Sequence, residues 1–227
     1  QNVGFTILED GTLVGVSGIG HIWTTPLGGE ASIFSTAETD FGYPETVQSV
    51  LAHSSSSVWV GGHFALTKHS PSPRPRGRLI DPDRYRPGRI PTQRLDVNGE
   101  PKSLLEIDDG TVLAGLYPST DVIAVHPDTL EIRTLGTIGH EQMRPMAMAW
   151  DADRRTALVA TTASQQIHTG ALTFVDVESG DMDVRNFLPG QNTRALTVDG
   201  DFAYLAGDVY AEGTGEHPLE VASVAEI

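Results

Sequence analysis

The feature that most constrains this chain is an internal repeat between Leu104 and Asp208. One copy, LLEIDDGTVLAGLYPSTDVIAVHPDTLEIRTL, starts at Leu104, and a second, AMAWDADRRTALVATTASQQIHTGALTFVDVESGDMDVRNF, starts at Ala147. A third begins at Ala195 with ALTVDGDFAYLAGD. Each copy has an apolar run, an Asp/Gly turn and a second apolar run, and the full copies add a variable loop and two further runs. A unit of four short runs that recurs about every 45 residues limits the chain to repeat architectures.

The runs have the character of strands rather than helices. TVLAGLY, TALVATT and FAYLAGD are short, apolar or β-branched, and bounded by Gly, Asp and Pro. No window carries a sustained helical spacing of apolar residues. Repeated four-strand units predict an all-β fold, a β-propeller of four-stranded antiparallel blades. The competing all-β fold, a β-sandwich, would not repeat such a unit at so constant a period.

The pattern predicts five blades, at residues 3–35, 47–98, 102–137, 145–188 and 193–227. The last blade has only three runs. An N-terminal strand could complete it, but the first four runs of the chain already form a full blade. We therefore expect one propeller domain or a portion of one, with about five blades of a seven- or eight-bladed ring. In that case the five blades are expected to pack against the remaining blades of the same protein.

The second blade contains the stretch FALTKHSPSPRPRG, residues 64–77, which is long and rich in proline. It predicts an inserted loop, with the third and fourth strands following in RLIDPDRYRPGRIPTQRLDV. Seven arginines lie between Arg74 and Arg94. This basic island is either a solvated loop paired with nearby carboxylates or a contact for an anion.

Composition excludes several classes of function. The chain has 30 acidic and 15 basic residues, a formal charge of −15, which argues against a nucleic-acid or anionic-membrane surface. No apolar run approaches the roughly 18–20 residues of a membrane span, so we expect no membrane insertion. The absence of cysteine excludes disulfides, thiolate metal sites and a cysteine nucleophile.

Propeller geometry predicts which loops meet. Loops from the second to the third strand of a blade, and connections between blades, emerge on one face, which we call the connection face. Candidates from the loops are His21, His63, His69, Tyr117, His168, Tyr210 and His217. Candidates from the connections are Tyr43, His140, Gln142, Arg144, Gln191 and Arg194. These polar side chains around a concave centre predict a ligand site, and the alternative is that they pack on neighbouring blades.

The same residues fit one reaction, β-elimination on a uronate-containing glycan. That reaction needs a cation to neutralise the carboxylate and a base to take the C5 proton. We name His63, Tyr117, His140 and Arg144 as catalytic candidates. The ligand-binding candidates are His21, Gln142, His168, Gln191, Arg194, Tyr210 and His217.

Other chemistries have weaker support. A glycosidase could use paired carboxylates among Asp121, Glu141, Asp208 and Glu212. His63, His140 and His168 could meet at a metal ion, but no HxH or HxxxH spacing occurs, so we expect no metal and no cofactor. The chain also has no G-x-S-x-G elbow and no phosphate-binding glycine loop.

The run from AGLYPSTDVIAVHPDTLEIRTLG through QMRPMAMAWDADRRTALVATT to PGQNTRALTVDGDFAYLAGD resembles secreted bacterial, often actinobacterial, propeller proteins of the WD40-like and quinoprotein-like repeat superfamily. The chain departs from their pattern at Thr161 and Thr162, where they have Gly-Thr, and it lacks the quinoprotein tryptophan. The resemblance implies a secreted or cell-envelope location. Some propellers of this kind are lyases or rhamnosidases that act on uronate-containing glycans.

These observations lead to one main expectation and two alternatives. The main one is a propeller that binds a polar ligand, a carbohydrate or another small molecule, on the connection face. The alternatives are a polysaccharide lyase that uses the same face and a protein-interaction scaffold.

Overall fold

The computed structural model describes residues 2–8, 10–18, 21–26, 28–29, 32–35, 46–70, 92–164, 169–208 and 223–226. These residues form 19 β-strands arranged in five antiparallel sheets. No helix that could span a membrane occurs in this part of the chain. The chain divides into two compact units, residues 1–101 and 102–227, which are described in turn.

The first unit contains two four-stranded sheets, blades 1 and 2. Blade 1 has the order β1-β2-β3-β4, and its strands are Asn2–Ile7, Leu13–Ser17, His21–Thr25 and Ser32–Ser35. Blade 2 has the order β5-β6-β7-β8, and its strands are Ser49–Ala52, Val58–Gly61, Ala65–His69 and Thr92–Asp96.

The second unit carries blades 4 and 5 and all of blade 3 except Glu100 and Pro101, the first two residues of its first strand, which belong to the first unit. Blade 3 consists of β9 to β12, Glu100–Glu106, Val112–Tyr117, Asp121–Val125 and Ile132–Thr137. Blade 4 consists of β13 to β16, Gln142–Asp151, Thr156–Ala163, Leu172–Asp176 and Met182–Arg185. Blade 5 has three described strands, β17 to β19, Asn192–Asp199, Phe202–Asp208 and Ser223–Glu226. The predicted four-stranded antiparallel blades are therefore confirmed.

Each pair of neighbouring blades within a unit is joined by a hydrophobic core. Between blades 1 and 2, Val14, Val16 and Ile22 pack with Val58 and Val60. A second core joins Leu113 and Val122 of blade 3 to Val159 and Val175 of blade 4. A third joins Leu158 and Leu172 of blade 4 to Leu205 of blade 5. Because alternate residues of a strand face opposite sides of its sheet, a blade can pack on both neighbours.

The Asp-Gly turns of the repeat have one geometry in two blades. The Asp10 and Asp109 carboxylates each accept the backbone N–H of the threonine two residues later, at 2.9 Å. The following glycines, Gly11 and Gly110, have φ angles of 80° and 81°. Glycine suits these positions because left-handed backbone costs it no steric strain.

The predicted inserted loop at 64–77 is wrong at its start. Ala65–His69 form β7, which pairs with β6 and β8 and takes the place of the third strand. The run ALTKH has Ala65, Leu66, Thr67 and His69 all buried, so its histidine and threonine belong to the core. The expected third strand, placed further along, falls within residues 71–91, which lie outside the described part of the chain.

Candidate functional site

A close approach between blades recurs at one position of the repeat. In blade 2, a Cβ added to Gly61 would stand 2.8 Å from the Cβ of Pro101 on β9. In blade 3, a Cβ added to Gly115 would stand 2.5 Å from the Cβ of Pro145 on β13. In both cases a glycine near the end of a second strand leaves room for a proline that lies close to it. The residue two positions after each glycine, His63 or Tyr117, then lies near the residue that precedes the proline, Glu100 or Arg144.

In the second unit this arrangement brings together Tyr117, Arg144 and Lys102, which we call the Tyr117 cluster. The Arg144 Cζ lies 4.6 Å from the centre of the Tyr117 ring. The Lys102 Nζ lies 5.1 Å from the same centre. Both distances are within the range of cation–π interactions. All three side chains are half-buried, so part of the cluster remains open to solvent.

In the first unit the equivalent pair is His63 and Glu100. The Nδ1 atom of His63 lies 2.7 Å from Oε1 of Glu100, and the His63 side chain is 62% exposed. Phe64 stands edge-on to the imidazole with 4.6 Å between ring centres. In the tautomer with the proton on Nδ1, the Nδ1–H donates a hydrogen bond to Glu100 and Nε2 is the basic atom. A general base requires this tautomer.

The junction of blades 4 and 5 carries no such charged pair at this position. Ala163 replaces the aromatic residue, and its backbone N–H donates to the Asn192 side chain at 2.9 Å. Thr161 replaces the glycine, and its carbonyl accepts from the Thr193 hydroxyl at 2.6 Å. Thr161, Thr193 and Asn192 are buried. This junction is a closed hydrogen-bonded layer rather than an open site.

Gln142 belongs to the same buried layer. Its Oε1 accepts from the Thr161 hydroxyl at 2.7 Å and from the Ala171 N–H at 3.1 Å. Its Nε2 donates to the carbonyls of His140 and Thr169, each at 3.2 Å. With both amide atoms engaged and the residue 9% exposed, Gln142 anchors the start of β13 instead of facing a ligand.

His140 lies in the tight turn that leads into β13. Gly139, His140 and Glu141 have φ angles of 62°, 50° and 62°. The turn is closed by the Gln142 N–H, which donates to the Gly139 carbonyl at 2.9 Å, and by the Gly139 N–H, which donates to the Thr120 hydroxyl at 3.0 Å. Left-handed backbone at two non-glycine residues is unfavourable and persists where surrounding contacts impose it. His140 and Glu141 are exposed on this imposed turn.

Arg194 and Gln191 flank the start of β17. Arg194 lies in a β-bulge between Thr193 and Ala195, and its Nε donates to the Asp208 carboxylate at 2.9 Å. The Gln191 side chain packs near Gly207, where an added Cβ would lie 3.3 Å from Gln191 Oε1. Arg194 is thus held against its own blade by an ion pair.

The remaining candidates lie apart or outside the described residues. His21 is the half-buried first residue of β3 and pairs with Ser35 across the sheet. His69, expected on the connection face, is instead the buried last residue of β7, at the other end of the blade. Tyr43, His168, Tyr210 and His217 fall on residues that the structure does not describe. Among the described residues, no three His, Asp or Glu side chains group as metal ligands.

Lys102 and Glu100 are site residues that sequence reasoning missed. A signal for them was present, because GGH at 61–63 and GLY at 115–117 occupy the same place in the repeat. Glu100–Pro101 and Arg144–Pro145 do so as well. Aligning the blades by these motifs would have paired His63 with Glu100 and Tyr117 with Arg144.

Comparisons with known proteins bear on the fold. No family model matches this chain, and no curated protein sequence matches it significantly. Among solved structures, a catalytically inactive variant of virginiamycin B lyase from Staphylococcus aureus with quinupristin has a TM-score of 0.69 at 12% identity, covering 100% of this chain and 69% of that chain. The chain has a β-propeller fold.

Two further propeller structures agree. The Pan2 WD40 domain of Neurospora crassa has a TM-score of 0.66 at 11% identity, covering 99% of this chain and 62% of that chain. A chain of a nidogen/laminin complex has a TM-score of 0.62 at 13% identity, covering 91% and 72%. At these identities the likeness extends to the propeller fold alone, and the chemistry has to be argued from the site.

Proposed function

We propose that this propeller binds a carboxylate-bearing carbohydrate at the Tyr117 cluster. The observation that carries the proposal is the placement of Lys102 and Arg144 over a single half-exposed tyrosine ring. An aromatic face with a few placed polar groups is the usual composition of a small-ligand site. A guanidinium adds a donor fork that matches a carboxylate in shape and charge.

The charge of the whole protein strengthens this choice. In a chain with a formal charge of −15, Lys102 and Arg144 bring two cations to one ring. A negatively charged ligand would be repelled by most of the surface and attracted at this place. A neutral sugar would gain only the ring contact and hydroxyl hydrogen bonds, so the cluster favours a uronate over a neutral hexose.

A lyase is the second candidate, and the nature of Tyr117 supports it. In uronate β-elimination a base removes the C5 proton, the C4–O bond breaks, a C4=C5 double bond forms, and the departing oxygen takes a proton. Arg144 or Lys102 would neutralise the carboxylate. Tyr117 would take the C5 proton as the phenolate and return it, as the phenol, to the departing oxygen. Virginiamycin B lyase is a lyase on the same fold, so the fold is compatible with elimination chemistry.

The binding proposal is tested by calorimetric titration with cellobiouronic acid and with cellobiose, which differ at the carboxylate. We expect the acid to bind at least tenfold more tightly than the neutral disaccharide. Arg144→Met and Lys102→Met should each remove most of that difference. Arg185→Met, on outer strand β16, is the matched control and should retain it. Equal affinity for the two sugars, or equal losses in the control, would reject the proposal.

The lyase candidate has a separate readout. Incubation with oligogalacturonate should raise the ultraviolet absorbance of unsaturated uronate, and Tyr117→Phe should abolish the rise while keeping the affinity. Tight binding without new absorbance would leave a carbohydrate-binding propeller. The proposal also places the protein in the secreted or cell-envelope fraction, which fractionation of the producing cell would check.

A further inference from the structure

A cavity of about 240 Å³ lies between blades 4 and 5, far from the Tyr117 cluster. It opens at the turns that connect β13 to β14 and β17 to β18. Asp151 on its rim is the last residue of β13, and Arg144 is seven residues earlier on the same strand. At about 3.3 Å per residue the two lie roughly 23 Å apart.

The walls of the cavity are apolar. Leu158, Phe174, Val198 and Ala203 line it, and all four also belong to the core between these blades or pack against it. The cavity is therefore a place where that core reaches solvent. At its edge Phe202 remains 48% exposed. The cavity thus combines apolar walls with an accessible aromatic ring at its edge, which is a composition that small-ligand sites share.

The rim is charged and has a negative balance. Arg154 donates to the Asp151 carboxylate at 2.8 Å from Nη1, and the Arg154 backbone N–H donates to the same group at 3.0 Å. Asp201 lies 3.8 Å from Arg154 Nη2, and its side chain is 85% exposed. The shorter contact of Arg154 is therefore with Asp151, whereas the Asp201 side chain stands largely in solvent on the rim that Phe202 also lines.

We propose that this cavity is a second ligand site, for an organic cation with an apolar body of about benzyl size. The apolar group would enter between Leu158 and Phe174, and the ammonium or guanidinium would meet the Asp201 carboxylate and the Phe202 ring face. An aromatic ring beside a carboxylate is a favourable environment for such a cation. The volume corresponds to about eight waters at liquid density, comparable with the nine heavy atoms of phenethylammonium.

The test uses three probes with one aromatic body and different charges. Phenethylammonium, 2-phenylethanol and 3-phenylpropionate are titrated into the ¹⁵N-labelled protein, and amide shifts are followed. We expect shifts centred on residues 151–158 and 198–203 and a Kd of about 1 mM for the cation. The alcohol should bind at least fivefold more weakly, and the carboxylate most weakly of all. Equal affinities, or shifts elsewhere, would overturn the proposal.

Two exposed-residue variants separate the charge from the apolar contact. Asp201→Asn should bring the cation and the alcohol to equal affinity without changing the alcohol, whereas Asp128→Asn, in an exposed turn of blade 3, should change neither. Phe202→Ser should weaken all three probes several-fold. Phe64→Ser, a 45% exposed phenylalanine of the first unit, is its control. A cation preference that survives Asp201→Asn would overturn the role of that carboxylate.

A last arm distinguishes a free amine from a side chain of a partner protein. N-acetyl-Phe-Arg-amide carries the same two groups on a peptide backbone. If it binds more tightly than phenethylammonium, the site reads a peptide, and if it binds no more tightly, the site takes a free amine. Loss of this site should leave cellobiouronic acid binding intact, so the two proposals fail independently.

Discussion

Gly115 packs so closely on Pro145 that a methyl group at its Cα would stand 2.5 Å from the Pro145 Cβ and 3.0 Å from the Ser103 hydroxyl. No real side chain tolerates the first of these distances, so Gly115→Ala must push β10 and β13 apart. We expect a loss of about 1–3 kcal/mol in the free energy of unfolding, measured by urea denaturation. The Tyr117 ring should also move away from Arg144, so carbohydrate affinity should fall.

Gly136→Ala is the control for this prediction. Gly136 also lies in a strand of blade 3, but the atom nearest to its added Cβ is the flexible end of Met182, at 3.1 Å. The methionine can turn aside, so the change should stay within about 0.5 kcal/mol. Equal effects of the two substitutions would show that the Gly115–Pro145 contact does not set the spacing.

Arg144→Met separates a binding role from a structural one. Arg144 is half-exposed, and its contact with Tyr117 at 4.6 Å is of the kind that contributes about 0.5–1 kcal/mol. Methionine keeps much of the aliphatic length, so unfolding should change by less than about 1 kcal/mol while uronate affinity drops. A large loss of stability would instead make the Tyr117 cluster a structural feature.

The repeat made the architecture predictable, and the side chains show where that stopped. Asp10–Gly11 and Asp109–Gly110 are turn residues whose local chemistry decides the backbone, so the strands on either side could be located. His69 could not be placed correctly, because β7 has only five residues and the proline-rich sequence after it favours the prediction of a loop. Its burial depends on β6 and β8, which are contacts that no local pattern reports.

The candidate site was predictable only in part. Placing Tyr117 and Arg144 at the same end of neighbouring blades follows from strand order, and they do meet. Gln142 occupies the same end but turns inward, because the Ala171 N–H and the carbonyls of His140 and Thr169 need partners inside the fold. Whether a polar side chain faces solvent or satisfies buried backbone depends on packing between sheets, which spacing along the chain does not encode.

Gln142→Met tests this inward role. The substitution keeps the volume but leaves the Ala171 N–H without its Gln142 acceptor and the His140 and Thr169 carbonyls without its donor. Unsatisfied buried polar groups cost about 1–3 kcal/mol each, so we expect a loss of about 2–4 kcal/mol on urea denaturation. Gln93→Met, at an exposed position of β8, should stay within about 0.5 kcal/mol. If Gln142→Met behaves like the control, the network contributes little to stability.

His69 predicts a pH dependence of stability. It is fully buried in β7, with Nε2 2.9 Å from the Thr67 hydroxyl and Nδ1 3.0 Å from the Thr92 hydroxyl. Burial disfavours the charged imidazolium and lowers the pKa of His69 from 6.5 to about 4. The unfolded chain therefore binds a proton that the folded chain refuses. Stability is fully present above pH 6.5 and falls as the pH drops towards 4, by an amount of the order of 3 kcal/mol.

The measurement compares urea unfolding at pH 7 and at pH 4.5 for the parent chain and for His69→Gln. Glutamine cannot take the proton, so the variant should lose less stability between these two pH values, even if it is less stable at both. His126→Gln removes an exposed histidine of a blade 3 turn and should keep the parent's pH dependence. If His69→Gln and the parent lose the same amount, the imidazole is not held neutral, because its protonation would then cost the fold nothing.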